Sequence, residues 1–150
     1  MQIRIYYEDT DAAGVVYHSN YLNYLERART EFFRERGINV AAYAAEGYIF
    51  PVVRVEIDYL RPAVHDDLIS IITVPVMTAG SFVALQQEII RVEDSRLLVK
   101  AKVKLACIGL NRKPCRIPPG VRSVCDLQGS GEAEIRMKGN SRPSRERRNI

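Results

Sequence analysis

Residues 20–37 read NYLNYLERARTEFFRERG. From Tyr21 onward the apolar positions Leu22, Leu25, Ala28, Phe32 and Phe33 keep three-to-four spacing, the period of a helix with one buried face. Ser19 or Asn20 suits its N-cap, because a short polar side chain can accept from an unpaired N–H of the first turn. Arg27 and Glu31 form an i,i+4 pair on another face, and Gly37 supplies a stop. The spacing predicts a single helix of about 17 residues.

Both flanks of this helix read as strands. Residues 2–7, QIRIYY, alternate in the manner of a half-buried strand. A short helical or irregular piece covers 38–47, and strand-like stretches follow at Tyr48–Leu60, Leu68–Met77, Phe82–Val92 and Arg96–Leu110. Tight turns at Ala79-Gly80-Ser81 and Glu93-Asp94-Ser95 predict that the last three strands form an antiparallel meander. In the last strand Lys100, Lys102 and Lys104 alternate with Val99, Ala101, Val103 and Leu105, so the lysines face outward as a solvated or edge-protecting face. One strand, one long helix and then four strands indicate an α+β fold, with the helix covering one face of an antiparallel sheet.

The chain of 150 residues and 47% apolar content is sized for one globular domain that needs no staple. Three cysteines with no CxxC and no clustered histidines argue against a disulfide framework and a zinc ribbon, and favour a reducing cytosol. Cys107, Cys115 and Cys125 read as packing or loop residues, and no metal set has plausible ligand spacing. No apolar run approaches membrane-span length, and the N-terminus lacks the layout of a signal peptide. The pattern starts abruptly at residue 2, which leaves room for a start slightly upstream.

Of the net charge of +4, residues 129–150 hold +3, from six basic and three acidic residues. That segment reads as a disordered basic tail beyond a domain at 1–128, and the rest of the chain is near neutral. The basic pI therefore describes a tail, and nucleic acid is not the expected partner.

Candidate chemistry sits in Tyr7–Tyr21, YEDTDAAGVVYHSNY, which links a strand end to the helix start. Asp9 and Asp11 supply carboxylates, Gly14 permits close backbone approach, and free N–H groups at the helix start can hold developing negative charge. Such a set suits hydrolysis of an acyl group, by carboxylate attack or by activation of water. Taken singly, each residue has a plainer role: Asp as a cap or turn residue, His18 as a hydrogen-bonding residue, Tyr7 as a packing aromatic.

The run YYEDTDAAGVVYHSNYLNYLERART, residues 6–30, resembles the N-terminal signature of the hotdog-fold acyl-CoA thioesterases, in the YbgC-like branch related to 4-hydroxybenzoyl-CoA thioesterase. The resemblance extends over roughly residues 2–127 and includes FPVVRVEIDYLRPAVHDDLI at 50–69. It implies a hotdog domain, a long helix wrapped by a five-stranded antiparallel sheet, that hydrolyses an acyl-CoA to acid and CoA. It implies Asp11 as the essential carboxylate, with Tyr7 and His18 as its companions and the His18 N–H polarising the thioester carbonyl. Asp9 would be structural. Arg61 is a candidate for CoA phosphate and Arg54 a weaker one. Whether Asp11 attacks the carbonyl or activates water stays open.

Some hotdog enzymes carry the acid on the long helix instead. Glu26 and Glu31 are the residues there, although they sit in a charge-paired pattern with Arg27, Arg29, Arg34 and Glu35 that reads as a solvated face. His65 reads as a structural turn residue, and Tyr21, Tyr24, Tyr43 and Phe50 are candidates for setting tunnel depth. No cofactor is expected, CoA being part of the substrate. The resemblance implies a homotetramer built from dimers, and a cytoplasmic location is expected because no targeting signal is read in the sequence. Acyl carrier protein or peripheral membrane contact stays open, and the alternative is a non-catalytic hotdog scaffold that binds acyl-CoA or acyl carrier protein.

Overall fold

The computed structural model describes residues 1–126, so the tail at 129–150 lies outside the described residues. Strand β1 (Gln2–Arg4) leads through a 3-10 turn at Tyr7–Asp9 to helix α1 (Asn20–Arg34) and a short helix α2 (Val40–Ala45). Four strands follow: β2 (Val52–Tyr59), β3 (Leu68–Ala79), β4 (Phe82–Arg91) and β5 (Leu97–Ala106). Residues 119–126 form a closing helical segment. All pairings are antiparallel and the sheet order is β1-β3-β4-β5-β2.

The expected meander is β3-β4-β5. What the pattern did not show is that β1 and β2, neighbours on either side of α1 in sequence, become the opposite edges of the sheet. Pro75 sits inside β3 beside a register shift. Its missing N–H costs no ladder bond, because β1 pairs with β3 only at Leu68, Ile69 and Ser70 and leaves that side open beyond them.

The alternation in β5 holds. Val99, Ala101, Val103 and Leu105 are buried against the helix side, while Lys100 and Lys102 are exposed on the other face. There Lys100 pairs with Asp58 on β2 and Glu88 on β4, so that opposite charges stand directly across the strands.

The α1 stripe differs from the expected one in two places. Leu22 is exposed, and Tyr21, Tyr24, Leu25, Ala28, Phe32 and Phe33 make the buried face. Arg29 is buried with them rather than solvated. Its guanidinium donates to Gln87 Oε1 at 3.0 Å, and Gln87 Nε2 donates to the Leu25 carbonyl and Thr73 Oγ1. This polar bridge lies between two apolar clusters. One gathers Ile5, Tyr21, Leu25, Ile69, Ile89 and Leu98, and the other Phe33, Ile38, Leu85, Val103, Ile117 and Val121. Each fully buried aliphatic side chain contributes on the order of 1.5–3 kcal/mol.

Both ends of α1 correct or sharpen the sequence reading. Ser19 occupies the N-cap position without a side-chain cap bond, because its backbone is already helical (φ −74°, ψ −19°) and the chain enters through a turn. At the other end Gly37 takes φ +81°, its N–H donates to Arg34 and the Ile38 N–H to Phe33, a Schellman closure. Glu31 pairs with Arg34 rather than Arg27.

Candidate active site

The loop from Tyr7 to Ser19 crosses the end of the sheet, from the exit of β1 to the exit of β2. Three sets of bonds fix it. Asp9 Oδ2 accepts from the Tyr6 N–H at 2.8 Å, closing the 3-10 turn. Residues 10–16 form a miniature hairpin in which Thr10 bridges Val16, the Asp11 N–H donates to Val15, and the Gly14 N–H donates to Asp11. Gly14 takes φ +76°, the left-handed position that follows a type I turn in such hairpins. The hairpin is then stitched to the chain after β2, with Val15 bridging Val64 and the Val16 N–H donating to Ala63.

Within this hairpin Asp11 opens the turn. Its Oδ1 accepts from the Ala13 N–H at 2.8 Å, an Asx turn that leaves Oδ2, on an exposed residue, without a hydrogen bond among the described residues. The turn role therefore occupies one carboxylate oxygen and leaves the other available.

His18 stands at the other end of the loop, two residues before α1. Its ring packs edgewise against Tyr17 at 4.6 Å and Tyr59 at 6.4 Å between centroids. The Tyr59 hydroxyl donates to the His18 carbonyl at 3.0 Å. Asn20 Nδ2 donates to the Asp9 carbonyl and the Asn20 N–H to Tyr17. The His18 backbone N–H takes part in no hydrogen bond among the described residues and lies at an exposed position beside the helix start. An N–H so placed is an anion donor in waiting.

Tyr7 is 82% exposed, and its ring meets His65 edge-on at 6.2 Å. The structure thus carries Tyr7, Asp11 and His18 on one tied loop, with no direct side-chain contact among the three. Two further residues join them: Tyr59 as the anchor of His18, and His65, which reads in the sequence as a structural turn residue, as the neighbour of Tyr7. Both lie in the 50–69 stretch, whose approach to the loop is set by the fold and not by local pattern.

Arg61 lies at the same end of the sheet, where its Nη1 donates to the Leu97 carbonyl at 3.1 Å. Arg54 lies on the opposite face of the sheet, ion-paired with Glu56 beside Lys102 and Lys104. Tyr21 and Tyr24 are buried under the loop. The Tyr21 hydroxyl accepts from the Ala63 N–H at 3.1 Å, and burial raises its pKa. The Tyr24 hydroxyl is buried beside Asp9, and burial, reinforced by that carboxylate, raises its pKa strongly.

An apolar chamber of about 140 Å³ opens elsewhere, along the C-terminal half of α1. Phe33, Ile38, Phe50, Val52, Leu105 and Val121 line its apolar side, with Glu26, Arg29 and Thr30 along α1. Of the expected depth-setting residues, Phe50 lines it and Tyr43 packs against Phe50, whereas Tyr21 and Tyr24 do not take part. Glu26 accepts from the Thr30 hydroxyl at the chamber wall, and Glu31 remains on the far side in its pair with Arg34. None of Tyr7, Asp11 or His18 lines the chamber. Among the described residues no group of three or more metal-ligating side chains converges, and no helix is long and apolar enough to cross a membrane.

The family model described as the thioesterase-like superfamily matches residues 6–124. The chain belongs to that superfamily. Within it, the chain is 38% identical over 120 residues to the acyl-CoA thioester hydrolase YbgC of Escherichia coli O6:H1, covering 79% of this chain and 89% of the relative. It is 39% identical over 124 residues to the acyl-CoA thioesterase YbgC of Haemophilus influenzae, covering 81% and 90%. Among solved structures it superposes on a 1,4-dihydroxy-2-naphthoyl-CoA thioesterase from Synechocystis with a TM-score of 0.79 at 25% identity, covering 85% of this chain and 95% of that one. A probable thioesterase from Bartonella henselae gives 0.72 at 41% identity, covering 79% and 97%. The YbgC-like resemblance and the five-stranded hotdog architecture read from the signature both hold.

Proposed function

We propose that this YbgC-like chain hydrolyses the thioester of an acyl-CoA to a free acid and CoA, with Asp11 at the centre of the chemistry. The observation that carries this reading is the pairing, on one tied loop, of a half-engaged Asp11 carboxylate with an unpartnered His18 N–H at the start of α1. The N–H polarises the thioester carbonyl, and Asp11 Oδ2 either attacks the carbonyl carbon or takes a proton from the attacking water. Thiolate departure completes the cleavage. Tyr7 and His18 orient the reacting groups, and Arg61 is at hand for CoA phosphate. Water is the co-reactant, and CoA enters as part of the substrate.

The site is completed between subunits. The Asp11 loop lies at the N-terminal end of α1 and the chamber along its C-terminal half, on a helix that rises about 22 Å from end to end. Every position in β2 but Ile57 is exposed, including Val52, Val53, Val55 and Tyr59 on an open sheet edge. Pairing that edge with a second copy about a two-fold axis continues the sheet and sets the two α1 helices antiparallel on the same face. Each Asp11 loop then approaches the partner's chamber. A homodimer is the minimum assembly on this reading, and a tetramer of two such dimers is its extension.

The test is thiol release from short, long and aromatic acyl-CoAs by the parent and Asp11→Asn. Asn keeps an acceptor for the Ala13 N–H, so the loop is preserved. A fall of about 100-fold or more at unchanged melting temperature supports the assignment. Equal release by both proteins removes Asp11 from the mechanism. Acyl-CoA binding without release from any member of the panel supports the scaffold alternative.

A further inference from the structure

Two thiols lie side by side at the end of β5. Cys107 follows the last residue of that strand, and the chain then doubles back. Ile108 pairs antiparallel with Pro114, the Gly109 N–H donates to Lys113, and the Cys115 N–H donates to the Cys107 carbonyl at 2.9 Å. Arg112 makes the reversal in a left-handed conformation, φ 58°. The hairpin brings Cys107 Sγ and Cys115 Sγ to 3.3 Å, and both thiols are free.

Cys107 and Cys115 stand opposite each other across this hairpin, joined by the Cys115 N–H while the Cys107 N–H donates to Ser81, and the sulfur contact itself shows that their side chains point together. A bond of about 2.04 Å needs each sulfur to move by less than an ångström, which side-chain rotation supplies. The two thiols differ in access. Cys107 is 1% exposed and Cys115 is partly exposed. Burial, with Cys115 beside it, pushes the Cys107 thiol up to about 12. Cys125 is buried in the closing helix, in the same apolar cluster as Cys107, and among the described residues the sulfur–sulfur contact joins Cys107 and Cys115 alone.

We propose that Cys107 and Cys115 form a reversible redox-modification site that closes to an intramolecular disulfide when a small-molecule disulfide is the oxidant. Cys115 gives up its proton and its sulfur attacks one sulfur of the oxidant, whose S–S bond breaks and releases one thiol. Cys107 then gives up its proton and attacks Cys115 Sγ, releasing the second thiol. One external disulfide is reduced to two thiols as two protein S–H groups become one S–S bond. The closed hairpin ties the end of β5, where Leu105 lines the chamber, to the segment leading to Val121 on the same chamber.

The full chain is equilibrated in glutathione buffers from reducing to oxidising, quenched in acid, alkylated under denaturing conditions and digested with trypsin. Cleavage after Arg112 puts Cys107 and Cys115 on separate peptides. The expected result is joint loss of alkylation at both cysteines with one midpoint, a linked peptide pair, and an intact mass lower by two hydrogens. Cys125→Ser oxidises like the parent, and Cys107→Ala stops at a glutathione adduct on Cys115. Recovery of the parent with Cys115 glutathionylated and Cys107 free at the oxidising end overturns the proposal. So does independent titration of the two thiols.

Discussion

The Tyr59 hydroxyl reaches 41 residues back along the chain to donate a hydrogen bond to the His18 carbonyl. It thereby fixes, from the last residue of an edge strand, the peptide plane just ahead of α1. The His18 N–H that we assign to the thioester carbonyl belongs to the same residue, so its direction depends on that anchor. Tyr59→Phe keeps the ring against His18 and removes only the bond. One hydrogen bond is worth about 0.5–1.5 kcal/mol, so kcat falls roughly 2- to 10-fold with little change in melting temperature. Steady-state kinetics beside a thermal melt checks this.

Gly14 offers a test of the loop independent of chemistry. A Cβ there meets nothing within 4 Å, so Gly14→Ala costs only the φ of +76°. A destabilisation of about 1–2 kcal/mol follows, read as a lower urea midpoint at unchanged slope. If Ala relieves the cost by moving the turn, Asp11 moves with it and thiol release falls as well.

The Arg29–Gln87 bridge predicts a non-additive pair. Gln87→Leu strips the buried guanidinium of the acceptor it has among the described residues and should destabilise the chain by about 2–4 kcal/mol. Arg29→Met added to it removes the stranded charge and recovers most of that loss. A double-mutant cycle by urea unfolding reads the coupling directly.

Alkaline pH should weaken the fold in a defined direction. Burial raises the pKa of both Tyr21 and Tyr24 above the ordinary value of 10.0. Above about pH 10 the unfolded chain releases these protons while the folded chain keeps them, so the folded state binds more protons and stability falls as pH rises. Their contribution is whole below about pH 9 and is lost progressively above it. Urea midpoints through that range fall less steeply for Tyr24→Phe than for the parent.

Local pattern carried much of this architecture. The lysine alternation gave β5 its two faces correctly, and the DTDAAGVVYH run gave the loop that holds Asp11 and His18. What eluded pattern was long-range. Arg29 read as solvated because its charged neighbours in sequence are, yet a glutamine on β4, 58 residues away, provides its buried partner. Leu22 read as core because three-to-four spacing tolerates a stripe one position wide of the true one, which Tyr21 and Tyr24 occupy. The chamber draws on α1, β2, β4, β5 and the closing helix, and no single segment announces it. The thiol pair was hidden likewise, because an eight-residue separation says nothing until a hairpin folds it.

The sheet order has one last consequence, for how this molecule wears out. The loop with Asp11 hangs from β1 at one margin and is pinned by Tyr59 of β2 at the other, and margins fray before centres. The meander between them, with Leu85, Ile89, Val99 and Val103 sealed inside, can survive such fraying intact. On the site proposed above, catalytic competence is a property of the periphery. With warming or mild denaturant it should fade first, leaving an inert but still folded body.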